Sequence, residues 1–264
     1  MKRILVMRFR ALGDALLATP LLRAVKAHYP AARVDYLVDE ELAPLFRGNP
    51  DCDRVLAYPR RARWRSVSDL RWALRLRRER YDLLLDLQGS GTSALFTLFS
   101  GAPRRHGYRV RHRHLFYNQK SDRGWPAERG RPYAPINHFL LVESLGIQPR
   151  DLTPGLPPDL GLENPFTHGS GPLVLVAPGA TWRAKQWPAE SYIEITGALR
   201  REGCRVVLMG SPGERPLLEN IAERSGADIH DDPSLPGMVA ALRHADLLLS
   251  TDSGARHVAV ALGT

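Results

Sequence analysis

Apolar and polar residues alternate along the chain in short blocks. Runs of four to six apolar or β-branched residues recur at 3–8, 33–38, 54–58, 82–87 and 105–109, and again at 173–178, 205–210, 227–230 and 246–251, and each reads as a strand. Between them lie stretches whose apolar residues repeat every three or four positions: 14–28, 67–80, 91–99, 134–145, 189–202, 214–225, 236–244 and 253–262. Strands that alternate with helices predict parallel sheets joined by right-handed crossovers. Runs as continuous as Leu83-Leu84-Leu85 and Leu247-Leu248-Leu249 predict strands covered on both faces.

The alternation is interrupted at 148–172, "QPRDLTPGLPPDLGLENPFTHGSGP", which holds six prolines and no periodicity. This predicts a first domain over 1–150, a linker over 151–172 and a second domain over 173–264. Charge divides the chain at the same place. Residues 1–150 carry 28 Lys/Arg against 14 Asp/Glu, whereas 151–264 carry 9 against 14. The first half therefore suits an anionic partner. Its basic residues concentrate in "RRARWRSVSDLRWALRLRRER", residues 60–80, and in the irregular stretch 104–131. Over the first of these, Leu70, Leu74 and Arg77 share one helical face and Arg71, Arg75 and Arg78 another, so an amphipathic helix with a cationic side is expected. Arg109, Arg111 and Arg113 add charge in the second stretch. No helix-turn-helix, zinc or RNP pattern accompanies this charge, which argues against nucleic acid as the partner. Cys52 and Cys204 are too far apart in sequence to suggest a disulfide framework, and no run approaches the length of a membrane span. A cytoplasmic protein is expected.

Four strand-to-helix loops carry candidate chemistry. "RFRALGDALLATP", 8–20, offers one glycine, Gly13, and a carboxylate, Asp14, where a phosphate loop would need several glycines. Asp14 is either a first-turn helix acid or a general base at the end of the first strand. "APGATWRAKQWPAESY", 177–192, supplies Thr181 and the mobile cation Lys185 ahead of a helix, a set suited to a diphosphate. "GSPGERPLLEN", 210–220, presents Glu214 to a ribose or to its own helix turn. "STDSGARHVAVA", 250–261, brings Asp252, Ser253 and Gly254 to a helix start, with His257 one turn on. In a parallel sheet such loops share one edge. "DCD", 51–53, reads as loop acids rather than metal ligands.

These motifs, with "DLLLDLQG" at 82–89, resemble glycosyltransferase family 9, the ADP-heptose:lipopolysaccharide heptosyltransferases and their relatives, from Arg3 to Thr264. The resemblance implies an α/β GT-B fold, two Rossmann-like domains with parallel sheets facing a cleft, the first binding acceptor and the second a nucleotide-sugar. It implies Asp14 as catalytic base and Lys185 as its electrostatic counterpart. The donor would contact Gly13, Thr181, Lys185, Glu214, Asp252, Ser253, Gly254 and His257. It further implies an inverting, metal-independent transfer with no cofactor beyond the donor, ADP-heptose. The acceptor would be an anionic glycolipid or lipopolysaccharide core, met at the inner face of the inner membrane by Arg71, Arg75, Arg78, Arg109, Arg111 and Arg113. Family members continue beyond the "HVAVALGT" helix, so an incomplete second domain is expected. A nucleotide-sugar epimerase and a non-catalytic nucleotide-binding relative remain as alternatives.

Overall fold

The computed structural model describes the 264-residue chain apart from residues 61–64, 111, 123, 125–134, 167–168 and 181, together with the side chains of residues 65, 66 and 183. The described residues form two compact units, Met1–Pro158 and Asp159–Thr264.

The first unit is built on a parallel six-stranded sheet of β1 (Arg3–Met7), β2 (Arg33–Asp39), β3 (Arg54–Tyr58), β4 (Leu83–Asp86), β5 (Arg104–Tyr108) and β6 (Gln119–Ser121), in the order 3-2-1-4-5-6. The strand order reverses between β1 and β4, and in such folds the loops leaving the carboxyl ends of those two strands form the functional edge. Its helices are α1 (Leu12–Leu16), α2 (Thr19–His28), α3 (Ala43–Phe46), α4 (Arg65–Glu79), α5 (Gly91–Phe99) and α6 (Ile136–Phe139). One side of the sheet packs Met7, Leu84 and Tyr58 against Trp72, Ala73 and Leu76 of α4 and Phe96 of α5. These two helices therefore form one layer. No described helix is long and apolar enough to cross a membrane.

The second unit holds a parallel four-stranded sheet, β7 (Leu173–Ala177), β8 (Arg205–Leu208), β9 (Asp228–Ile229) and β10 (Leu247–Ser250), in the order 10-7-8-9. Helices α7 (Ala189–Arg201), α8 (Arg215–Ser225), α9 (Leu235–Arg243) and α10 (Gly254–Leu262) connect or follow them. Val174, Val176, Leu208, Tyr192, Leu218 and Ile221 form its core.

All nine expected strands are present, whereas several details differ. The expected helix 14–28 is broken into α1 and α2, because Thr19 Oγ1 bonds back to Leu16 O at 2.8 Å and Pro20 has no N–H to continue the ladder. The short β6 and α3 lack a readable period. The segment 134–145 condenses to α6 and a 3-10 turn, Glu143–Leu145. On α4, Leu70 and Leu74 are exposed while Trp72, Ala73 and Leu76 are buried. The larger indole wins the inward position, where it meets Tyr58 edge-on at 5.9 Å between ring centres. Leu83–Leu85 are fully buried, but Leu247–Leu249 are partly exposed, because β10 is a sheet edge. Residues 151–155 pack as part of the first unit rather than as a free linker. Asp151 pairs with Arg23, and Gly155 donates its N–H to Thr19 Oγ1 at 2.8 Å and accepts from Asn49 at 3.2 Å.

Candidate functional site

In the first unit the loop between β1 and α1 is mounted on the loop after β4. Asp86, at the end of β4, is fully buried, and burial pushes its carboxyl pKa up. It accepts from Gln88 N and Gly89 N, both at 2.9 Å, and from Tyr117 Oη at 2.6 Å. Gly107 leaves room for that tyrosine, since a Cβ there would stand 2.5 Å from its ring. Gln88, so held, accepts from Phe9 N at 3.1 Å and Arg10 N at 3.3 Å. The buried Arg8 donates to Leu87 O at 2.5 Å and meets Asp14 at 2.5 Å. The pattern "DLQG" thus fixes both the cation and the backbone that aim Asp14.

Asp14 lies in the first turn of α1, with its side chain about half exposed at 49%. Its Oδ2 also accepts from Ala11 N at 3.3 Å. The helix-turn role and an available carboxylate therefore coexist. Gly13 is buried, and its carbonyl accepts from Leu17 N at 2.8 Å.

In the second unit three loops converge at the carboxyl edge of the sheet. The loop after β10 joins the loop after β7 through Thr251 Oγ1, which donates to Gly179 O at 2.5 Å. The same loops are linked by Lys185 and Asp252 at 2.5 Å. Arg256, one turn into α10, meets the other Asp252 oxygen at 2.7 Å. The Lys185 hydrogen bond, then the charges of Arg256 and His257, hold the Asp252 carboxyl below its ordinary range. The loop after β8 reaches the group through Glu214, whose Oε2 accepts from Ser211 N at 2.7 Å and Ser211 Oγ at 2.8 Å. Its Oε1 lies hard against Gly179, where a Cβ would come within 1.7 Å. Ser253 is the N-cap residue of α10, but its side chain accepts from none of the first-turn amides, and its buried hydroxyl has no hydrogen-bond partner among the described residues. The first-turn amides of α10, from Gly254 on, are likewise outside the helix ladder.

Several of the expected residues are already engaged within the protein. Lys185 is paired with Asp252 rather than free, although both side chains remain about half exposed. Glu214 closes its own turn with Ser211. Arg109 pairs with Asp122 at 3.0 Å, and Arg113 donates to Gly89 O at 2.7 Å, so neither is simply an outward charge. Arg71, Arg75 and Arg78 are exposed. Asp51 and Asp53 of "DCD" are engaged by Arg23 at 3.2 Å and Lys26 at 2.7 Å. Thr181 and Arg111 lie outside the described residues. Arg8, Gln88, Thr251 and Arg256 were not anticipated. Of these only Arg256 had a local signal, its i,i+4 spacing from Asp252.

The profile of glycosyltransferase family 9 (heptosyltransferase) matches residues 70–264. The chain belongs to glycosyltransferase family 9. Lipopolysaccharide heptosyltransferase 1 of Escherichia coli strain K12 is 28% identical over 98% of this chain and 85% of that enzyme. The family 9 glycosyltransferase of Veillonella parvula DSM 2008 shares the fold, with a TM-score of 0.84 at 22% identity, over 100% of this chain and 78% of its own. The E. coli ADP-heptose LPS heptosyltransferase II superposes with a TM-score of 0.81 at 26% identity, over 99% and 82%. This family 9 chain is therefore a glycosyltransferase of the α/β GT-B class. Its two parallel sheets are the domains of that class, and the three linked loops stand on the second.

One consequence for this family 9 site can be measured directly. Gly179→Ala would drive a methyl group into Glu214 Oε1 and force that carboxylate off Ser211. The loss of that charge-assisted hydrogen bond is expected to cost about 1 kcal/mol of stability, read as a fall in melting temperature. An unchanged melting temperature would show that the Glu214–Ser211 contact does not hold the loop.

Proposed function

We propose that the chain transfers a heptose from ADP-heptose to a lipopolysaccharide-core acceptor, with inversion and without a metal. The observation that carries this reading is the convergence of Lys185, Asp252, Glu214 and the Ser253–Gly254 helix start on one sheet edge. A diphosphate supplies the acceptor atoms that these groups leave unmatched. It can draw Lys185 from Asp252, accept from the Ser253 hydroxyl and sit on the α10 amides. Thr181 and His257 belong to the same donor set, with Glu214 facing the ribose. ADP-heptose is supported by the ADP-heptose enzyme that shares this fold at 26% identity. A lipopolysaccharide acceptor is supported by the heptosyltransferase 1 relative.

In the reaction, the acceptor hydroxyl gives its proton to the Asp14 carboxylate as its oxygen attacks the anomeric carbon. The bond from that carbon to the diphosphate oxygen breaks on the opposite face through an oxocarbenium-like state, so the configuration inverts. ADP leaves with the bonding electrons. Lys185 and the α10 amides stabilise the charge that grows on it, the task a metal would otherwise perform. Gly13, closely packed behind Asp14, keeps that turn tight. The excess of arginine in the first half attracts an anionic acceptor, and ADP-sugars place the work on the cytoplasmic side of the inner membrane.

The test is turnover of ADP-heptose with a lipopolysaccharide-core acceptor, compared with UDP- and GDP-sugars, with product configuration read by NMR. ADP release that saturates, needs acceptor and inverts the anomeric centre is expected. Absence of saturable ADP-sugar binding would overturn the reading, as would hydride exchange or epimerised donor without acceptor.

A further inference from the structure

The outer surface of the α4–α5 layer has an unusual make-up. Among the described residues of the first unit, every exposed large apolar side chain lies on α4, on α5 or on the 3-10 turn Arg113–Phe116. On α4, Val67, Leu70 and Leu74 follow helical spacing on the side opposite the buried Trp72, Ala73 and Leu76. On α5, Leu95, Leu98 and Phe99 line the side opposite the buried face of Ser93, Ala94, Phe96 and Thr97, and Phe99 is 50% exposed. Both helices pack inward on the same core cluster, so these two apolar faces point outward from one layer. Patches of this kind on a chain otherwise rich in charge mark a surface that meets something apolar.

The charge beside them says what that is. Arg71, Arg75 and Arg78 flank the α4 stripe and are exposed. Arg75 also lies over the Trp72 ring at 4.5 Å, which holds its guanidinium at the edge of the stripe. The two acids of α4 are turned inward: Asp69 accepts from Tyr58 Oη, and Glu79 is bound by Arg33 at 2.6 Å and Arg54 at 2.9 Å. Among the described residues no carboxylate lies within ion-pair distance of Arg71, Arg75 or Arg78. Apolar side chains framed by unneutralised arginines match a bilayer whose headgroups are anionic and whose acyl chains begin a few ångströms deeper. A second copy of this chain paired through the same face would set arginine against arginine, the first half holding 28 basic to 14 acidic residues.

We propose that α4 and α5 form a lipid-docking face that seats the first unit on an anionic membrane, Leu74, Leu98 and Phe99 entering the interface and Arg71, Arg75 and Arg78 meeting phosphates. This rests on the reading of the acceptor as a membrane glycolipid, but it is a property of the first unit alone. Docking would concentrate the enzyme in the plane that holds its acceptor.

The test is co-sedimentation of the full chain with phosphatidylcholine vesicles, with and without phosphatidylglycerol. Binding that requires the anionic lipid and weakens with salt is expected. The variant Leu74→Ser/Leu98→Ser/Phe99→Ser should lose about tenfold or more of that binding while keeping its melting temperature, because the three side chains are already exposed. Arg71→Gln/Arg75→Gln/Arg78→Gln should lose the preference for anionic lipid, about fivefold per charge. Undiminished binding of the apolar variant would overturn the proposal. So would equal binding to neutral vesicles, or a concentration-dependent dimer that the apolar variant abolishes without any vesicle binding. Calorimetry with ADP-heptose separates this from the catalytic reading: donor binding without vesicle binding sinks only the lipid face, and the reverse sinks only the transferase.

Discussion

Asp14→Asn is expected to lower turnover by about two to four orders of magnitude, the usual contribution of a positioned general base. ADP-heptose affinity should stay unchanged, because the proposed donor groups stand on the second unit. Asparagine keeps the shape and can still accept from Arg8 through its amide oxygen, so the loop should hold. Asp14→Ala is the sharper structural control. It strands the buried Arg8 guanidinium, which keeps its bond to Leu87 O but loses its counter-charge. A fully buried pair would cost about 3–5 kcal/mol when broken. Asp14 is half exposed and water can replace it, so a loss nearer 1 kcal/mol is expected. Single-turnover kinetics and a thermal melt on both variants separate the two effects. Asp14→Asn with near-normal turnover would remove the proposed base.

Lys185→Ala should lower kcat/KM by about a hundredfold to a thousandfold, the range seen when one donor to a developing negative charge is removed. Stability should hardly change. The Lys185–Asp252 pair is about half exposed on both sides, and such pairs contribute less than about 1 kcal/mol. Asp252→Asn decides what the pair is for. If Lys185 serves only to hold Asp252, removing either partner should have the same effect, since each deletes the same contact. If Lys185 leaves Asp252 for the donor diphosphate, the alanine variant should be far worse than the asparagine variant. Steady-state kinetics on the two single variants and the double variant give the answer.

Much of this molecule was legible along the chain. The nine strands were readable because each buried strand must be a short, continuous apolar run, and a parallel sheet demands a helix between such runs. The loops at 177–192, 210–220 and 250–261 were readable because glycine, hydroxyl and cation side chains gather just before helix starts. Leu70 and Leu74 show where this reasoning stops. A helix carrying both Leu70/Leu74 and Trp72/Leu76 has two apolar sides, and periodicity does not say which one the sheet will take. Thr19 and Pro20 are a second case, since their signal to break a helix is weaker than the apolar period that runs across them.

The sequence by itself determined the alternating α/β architecture, the two-part charge division and which loops carry the candidate chemistry. It did so because strand burial, helix period and loop chemistry are all local properties of neighbouring residues. Only the tertiary structure decided how those groups are held. Arg8 finds Asp14 only because the β4 loop accepts its other nitrogen, and Gln88 reaches Phe9 and Arg10 across nearly eighty residues. Lys185 finds Asp252 across sixty-seven, through the pairing of β7 with β10. Which neighbour neutralises a charge, and which side of a helix meets water, depends on contacts between segments that no local pattern encodes.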